Sequence, residues 1–297
     1  MGKTIHEVVM ELSPFFNFGN SNSASRTEAR SRTSLCALLF NGGCLVYSDM
    51  QETHGSERPY KSSTRERKIY KVGDDDILLA GTGSSAGIIM AARRAHQAIK
   101  YWRSEHELEP IPPEKVSEIL SKIMNPEHEA QFLLGGYDPH HDQGMIATIS
   151  DDGTLSQSHF FQVNGSGSPY MLAKARTVEK KALGSMYGKI QVTSQIYDAL
   201  PALAFSREVA MIEGLDIINA GPENDVFSGG KGFQLAVLDK NGVQEYIIPK
   251  DKADEILDLK HTAEHSALNP LLKAKQFTNY PALFEQYKQS SNTWWIQ

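Results

Sequence analysis

The pattern of apolar and polar positions changes abruptly at Thr33. Residues 20–34, NSNSASRTEARSRTS, are small and polar, with arginines at 26, 30 and 32 and no apolar period. Such a stretch buries too little surface to offset its ordering entropy and reads as a flexible leader or linker. From there LCALLF (35–40), an Asn41-Gly42-Gly43 turn and CLVYSD (44–49) predict a hairpin of two nearly continuous apolar strands. Strands without polar alternation are buried on both faces. A further strand is predicted over 77–80. Beyond Ser84 the period switches, and Ile88, Ala92, Ala95, Ile99 and Trp102 fall on one helical face. Pro112-Pro113 opens a second helix with Val116, Ile119, Leu120 and Ile123 as its apolar face. Strands return at 132–137, 145–150 and near 159–163. Helical stretches over roughly 169–183 and 206–219 precede a last hairpin, FQLAVLD-KNG-VQEYII.

Strands, helix pair, strands, helix pair, strands is the order expected of two stacked sheets with helices on both outer faces, an α+β sandwich of four layers, αββα. That body is predicted as one domain, residues 33–250, between a leader (1–32) and a polar C-terminal extension (251–297). The extension has some helical pattern, ends in Trp294-Trp295-Ile296, and reads equally as an arm lying on a neighbouring subunit or as a disordered tail. Composition changes this picture little. Of 297 residues, 30 are basic and 36 acidic, a net charge of −6 without the basic stripe of a nucleic-acid binder. The two cysteines, Cys36 and Cys44, lie in apolar runs and read as small core residues, which places the chain in a reducing, cytoplasmic setting. The N-terminus lacks a signal-peptide pattern, and no apolar run is long enough to span a membrane.

The chemistry lies in several short motifs that occur in a fixed order. Thr33-Ser34-Leu35-Cys36-Ala37-Leu38 and Leu45-Val46-Tyr47-Ser48-Asp49 are followed by Arg67-Lys68-Ile69-Tyr70 and Ala80-Gly81-Thr82-Gly83. Then come Leu133-Leu134-Gly135-Gly136-Tyr137-Asp138, Gly165-Ser166-Gly167-Ser168-Pro169 and Asp225-Val226-Phe227-Ser228-Gly229-Gly230. Taken together they resemble the proteasome β-subunit family of N-terminal-nucleophile hydrolases, with this chain a divergent member. Arg32 stands where active members carry glycine, and Met50-Gln51-Glu52 replaces an arginine-containing run.

The resemblance implies a threonine endopeptidase whose nucleophile is Thr33, freed by removal of the leader. It assigns Asp49 and Lys68 to the charge pair beside the nucleophile, and the Gly81 N–H to the oxyanion hole. Ser166, Asp225 and Ser228 are assigned to the support of the terminal amine, and Leu79 and Gly83 to the lining of a specificity pocket. It further implies self-assembly into rings, heptameric in the family, with an α-type ring or an unfolding ATPase as candidate partners and a peptide or protein as substrate. No cofactor or metal is expected.

The chemistry is coherent on elementary grounds. A threonine hydroxyl is a poor nucleophile without an adjacent base. An α-amino group with a pKa of about 7.7–8.0 supplies one near neutrality once the bond before Thr33 is cut. Two other readings use the same fold: a non-catalytic ring subunit, and an amidase or transpeptidase acting on one defined substrate. Outside the motifs, Asp138-Pro139-His140-His141-Asp142 reads as an exposed turn more than a metal site, and Asp74-Asp75-Asp76 as a solvated turn.

Overall fold

The computed structural model describes residues 30–31, 33–54, 60–63, 68–73, 77–106, 111–123, 130–186, 205–225, 230–265, 284–285 and 287–288. Two antiparallel sheets form its centre. One has five strands in the order β11 (Phe161–Gly165), β2 (Ser34–Phe40), β3 (Gly43–Asp49), β12 (Gly232–Asp239) and β13 (Gly242–Pro249). The other has six: β1 (Arg30–Ser31), β7 (Ile77–Ser84), β8 (Ala130–Asp138), β9 (Gln143–Ile149) and β10 (Leu155–Ser158) in order, with β6 (Ile69–Val72) also on β7. A small separate ribbon pairs β4 (Glu52–His54) with β5 (Tyr60–Ser63).

Alternation along the strands divides the apolar interior into three layers. From β2 and β3, Leu35, Ala37, Leu39, Cys44 and Val46 point between the sheets, where they meet Ile69, Leu78, Ala80, Leu133, Ile146, Ala236 and Leu238. The alternate residues Cys36, Leu38, Leu45 and Tyr47 point outward, against α3 (Ser168–Met186), α4 (Arg207–Asn224) and α5 (Lys250–His265). On the far side, Ile77, Leu79, Phe132 and Leu134 face α1 (Ser85–Glu105) and α2 (Pro113–Ile123). The doubly buried strands expected from the sequence follow from this stacking, because each sheet has an apolar layer on both faces. The fold is thus the αββα sandwich.

The helices form where the apolar period places them. Ser84 caps α1, its Oγ accepting from the Gly87 N–H at 3.3 Å, and the predicted face from Ile88 to Trp102 is buried. Ser206 caps α4 in the same way. Tyr47 reaches out of β3 to donate its hydroxyl proton to the Met211 carbonyl at 2.7 Å, and Gly214 leaves the room that this ring needs. Residues 250–265, read from the sequence as the start of an extension, form α5, whose Ala253, Ile256 and Leu257 join the core of this same chain. Residues 1–29, Asp74-Asp75-Asp76 and Trp294-Trp295-Ile296 lie outside the described residues. Cys36 and Cys44 are free and buried, and burial pushes both thiols up, Cys44 to about 12. Among the described residues, no helix is long and apolar enough to cross a membrane.

Candidate active site

Thr33 immediately precedes β2, and Asp49 closes β3, so the hairpin brings the start of one strand beside the end of the other. Lys68 immediately precedes β6 in the opposite sheet. All three side chains are buried, and they meet across the gap between the sheets. The Lys68 ammonium donates to Thr33 Oγ1 at 2.5 Å and to Asp49 Oδ1 at 2.6 Å. It also donates to the Gln51 carbonyl, and the Thr33 hydroxyl donates to Asp49 Oδ1. A buried ammonium is tolerable only when its donors are matched, and here each of its three N–H bonds has an oxygen.

The turn after β11 fixes the Thr33 main chain. The Ser166 N–H donates to the Thr33 carbonyl at 2.9 Å, and Ser166 Oγ lies 3.5 Å from the same oxygen. Gly165 makes this possible. Its φ is +96°, and a Cβ there would stand 1.9 Å from the Thr33 carbonyl oxygen. Behind Thr33, the Ser34 hydroxyl is wedged between Gly167 and Gly221, where added Cβ atoms would come within 2.2 and 2.4 Å of its Oγ. Gly221 belongs to the last turn of α4, and its carbonyl accepts the N–H of Asp225, the buried C-cap residue. That packing places the C-terminal end of α4 behind the first strand.

Gly81 lies on β7, one position beyond the Ala80 that pairs with Ile69. Its N–H points to the Lys68 carbonyl at 3.4 Å, the long limit of a hydrogen bond. The main chain of Lys68 therefore adjoins the proposed oxyanion donor while its side chain adjoins the proposed nucleophile. A Cβ at Gly81 would strike Ile88 of α1 at 2.5 Å, which explains the glycine by close packing as well as by chemistry. Leu79 is buried in the outer layer of β7, and Gly83 has a φ of +110°. Ser228 lies outside the described residues.

The segment leading to Thr33 is itself a strand. Arg30 and Ser31 pair antiparallel with Ser84 and Gly83 of β7, along the edge where β6 leaves off. At the other end of the sandwich, His141 pairs with Asp138 at 2.5 Å and Tyr137 donates to Asp142 at 2.6 Å, so the histidine turn is held together by its own residues.

Sequence reasoning passed over three contributors. The Gln51 carbonyl is a main-chain acceptor and leaves no trace in residue type. Gly165 was visible in its motif without its contact. Gln234 bonds the main chain at Lys68 and Ile69. It is a lone polar residue at an inward position of an apolar strand, a signal that a stricter accounting of FQLAVL would have found.

Two stacked antiparallel sheets between helical layers, with a threonine just before β2 against a lysine and an aspartate, define the N-terminal-nucleophile hydrolase fold. Within that class the chain belongs to the proteasome subunit family: a sequence model described as "Proteasome subunit" matches residues 30–200. Among curated proteins it is 25% identical over 231 residues to a proteasome subunit beta of Methanococcus aeolicus, covering 76% of this chain and 93% of that one. It is 27% identical over 228 residues to a proteasome subunit beta type-6-A like protein of Salmo salar, covering 76% and 92%. A proteasome subunit beta 1 of Pyrococcus horikoshii is 25% identical over 186 residues, covering 61% and 80%.

Proposed function

We propose that this chain is a threonine endopeptidase, active in the cytoplasm as a subunit of a self-compartmentalising, proteasome-like ring, and that Thr33 becomes its N-terminal nucleophile. The observation that carries this reading is the meeting of Thr33 Oγ1, Lys68 Nζ and Asp49 Oδ1 at 2.5–2.6 Å around the ammonium, from two different sheets. A purely architectural subunit has no physical need to bury a charge there. Residues 1–32 are the removable leader, and the hydrolase body expected to end at 250 extends through α5, whose Ala253, Ile256 and Leu257 are core residues.

In this mechanism, cleavage before Thr33 turns its amide nitrogen into an amine. The amine takes the proton from Oγ1 as the oxygen attacks the carbonyl carbon of the scissile peptide. The Lys68 ammonium stabilises the developing alkoxide, and Asp49 holds the ammonium in place. The Gly81 N–H, whose contact with the Lys68 carbonyl is a long 3.4 Å, turns to the tetrahedral oxyanion. Collapse of that intermediate breaks the C–N bond, the leaving amine takes the proton, and water then hydrolyses the acyl ester on Thr33. By the family resemblance, Ser166, Asp225 and Ser228 are assigned to support the terminal amine. The pairing of Arg30 and Ser31 with β7 supports this reading, because an extended peptide laid on that edge reaches Thr33.

Ring assembly of like subunits, heptameric by family resemblance, is part of the proposal. Ile89 and Met90 of α1, Tyr170 of α3 and Leu259 of α5 remain exposed on the outer helices, apolar surface that contact with neighbouring subunits would cover. Hydrolysis of unrelated fluorogenic peptides by the assembled protein tests the activity. Turnover of several peptides, abolished in Thr33→Ala, is the expected result. Turnover of one defined substrate alone would favour the amidase reading, and no turnover in the wild type would favour the architectural one.

A further inference from the structure

We infer that Gln234 is a positioning residue for Lys68, a role that rests on the threonine-peptidase reading of the site. Gln234 lies in the middle sheet layer on β12, fully buried at a position whose strand neighbours on that face, Ala236 and Leu238, are apolar. A buried carboxamide among such neighbours is costly unless its hydrogen bonds are made. Here they are made to one place. Oε1 accepts from the Lys68 N–H at 3.0 Å and the Ile69 N–H at 3.2 Å, and Nε2 donates to the Ile69 carbonyl at 3.3 Å.

The geometry is that of a substitute strand. In a β-strand the N–H and C=O of one residue point the same way, so the Gln234 carboxamide pairs with Ile69 as the main chain of a neighbouring strand would. It therefore completes β6 on the side away from β7 and ties one sheet to the other at the first residues of β6. The ammonium of Lys68 is held meanwhile by Asp49, and β12 pairs Phe233 with Asp49 and Gln234 with Ser48. Both ends of Lys68 are thus gripped from adjacent positions of β3 and β12: the main chain by Gln234, the side chain by Asp49. Further along β6, Lys71 makes its own link to Glu245 of β13 at 3.3 Å, which holds that end of the strand without Gln234.

The test compares the reactivity of two buried lysines, Lys68 just before β6 and Lys71 within it. The assembled protein is treated with a limiting amount of formaldehyde and cyanoborohydride, and dimethylation of Lys68 and Lys71 is quantified by mass spectrometry. Gln234→Leu leaves three main-chain groups without their partner. It is expected to raise Lys68 labelling by about tenfold or more, the factor that a lost buried hydrogen bond of about 1.4 kcal/mol represents, with Lys71 within about twofold of wild type. Gln234→Glu is expected to restore Lys68 protection. A carboxyl kept protonated by apolar surroundings accepts through one oxygen and donates through the other, as the amide does. Peptide turnover should follow the labelling, with kcat falling in Gln234→Leu and KM nearly constant. If Gln234→Leu does not assemble, Gln234→Asn, which withdraws the carboxamide by one methylene, should shift Lys68 in the same direction. Unchanged Lys68 labelling, or a parallel rise at Lys71, would overturn the assignment. An inactive wild type that still shows the selective rise would sink the peptidase reading and leave the positioning of Lys68 intact.

Discussion

At the scale of single residues, the question is where the proton of Thr33 goes. Lys68 cannot take it as the site stands, because an ammonium has donors and no acceptor, and all three donors are occupied. Asp49 accepts from the hydroxyl, but a carboxylate is a weak base towards an alcohol. The nitrogen of Thr33 is an amide in the intact chain and has no useful basicity. On the proposed mechanism, Thr33 and Lys68 supply the nucleophile and the cation, and the base is the amine that a cut before Thr33 would free. Lys68 then acts by charge. Lys68→Ala should lower peptide turnover by at least about 10²-fold. It should also lower stability, by up to about 3–5 kcal/mol, since the buried Asp49 loses the ammonium it pairs with. Asp49→Asn should do comparable damage from the other side. Steady-state kinetics on assembled variants, with calorimetry beside them, measures both effects. Wild-type turnover in either variant would remove the pair from the mechanism.

At the scale of elements, the strands that carry Thr33 and Asp49 were legible because both faces of each are buried, so their sequences are apolar without interruption. The helix α1 was legible because its inward stripe is apolar from Ile88 to Trp102. Two elements were obscured by polar residues at buried positions. In β6, IYKV, the second half of the strand carries Lys71, neutralised by Glu245 of a strand that lies far along the chain. In α5 the inward stripe of Ala253, Ile256 and Leu257 continues into Lys260, which sequence reading takes for a surface residue. Lys260 is buried because Glu213 and Asp216 of α4 receive its ammonium, the first at 2.8 Å. Long-range pairing of this kind has no signature in local pattern.

That cluster makes the docking of α5 on α4 sensitive to pH at both extremes. Burial pushes the Asp216 carboxyl up, but the Lys260 and Lys174 ammonium groups more than offset this and hold it below the usual carboxylate range. Burial likewise pushes Lys260 down, and Glu213 and Asp216 outweigh it and raise it. A lowered carboxylate contributes stability that is complete above its unfolded value of about 3.9 and is lost as pH falls through the folded value. A raised lysine contributes stability that is complete below about 10.4 and is lost as pH rises through its folded value. His261 lies 3.5 Å from Asp216 and Lys174 lies 2.8 Å from it, so with Lys260 the carboxylate has three basic neighbours among the described residues. Hydrogen exchange should therefore show α5 losing protection relative to α1 below about pH 4 and above about pH 10.4, with a flat profile between. Equal loss in α1 and α5 would contradict this. Lys260→Met should flatten both limbs, since it removes the cation and leaves an apolar side chain of similar length.

At the scale of the whole molecule, the proposed activity depends on one event, the separation of residues 1–32 from Thr33. Strand β1 runs along β7 and ends two residues before a fully buried threonine. The position of every other group has meaning for catalysis only if that bond is broken. Arg32 is larger than the glycine that family resemblance expects there, so processing is expected to be slow or to depend on assembly, a neighbouring subunit being able to supply the cut. Intact-mass spectrometry of the assembled protein tests this most directly, with Thr33→Ala beside it. The account predicts a wild-type chain that begins at Thr33 and a Thr33→Ala chain that keeps residues 1–32; a wild-type ring built of full-length chains would contradict it.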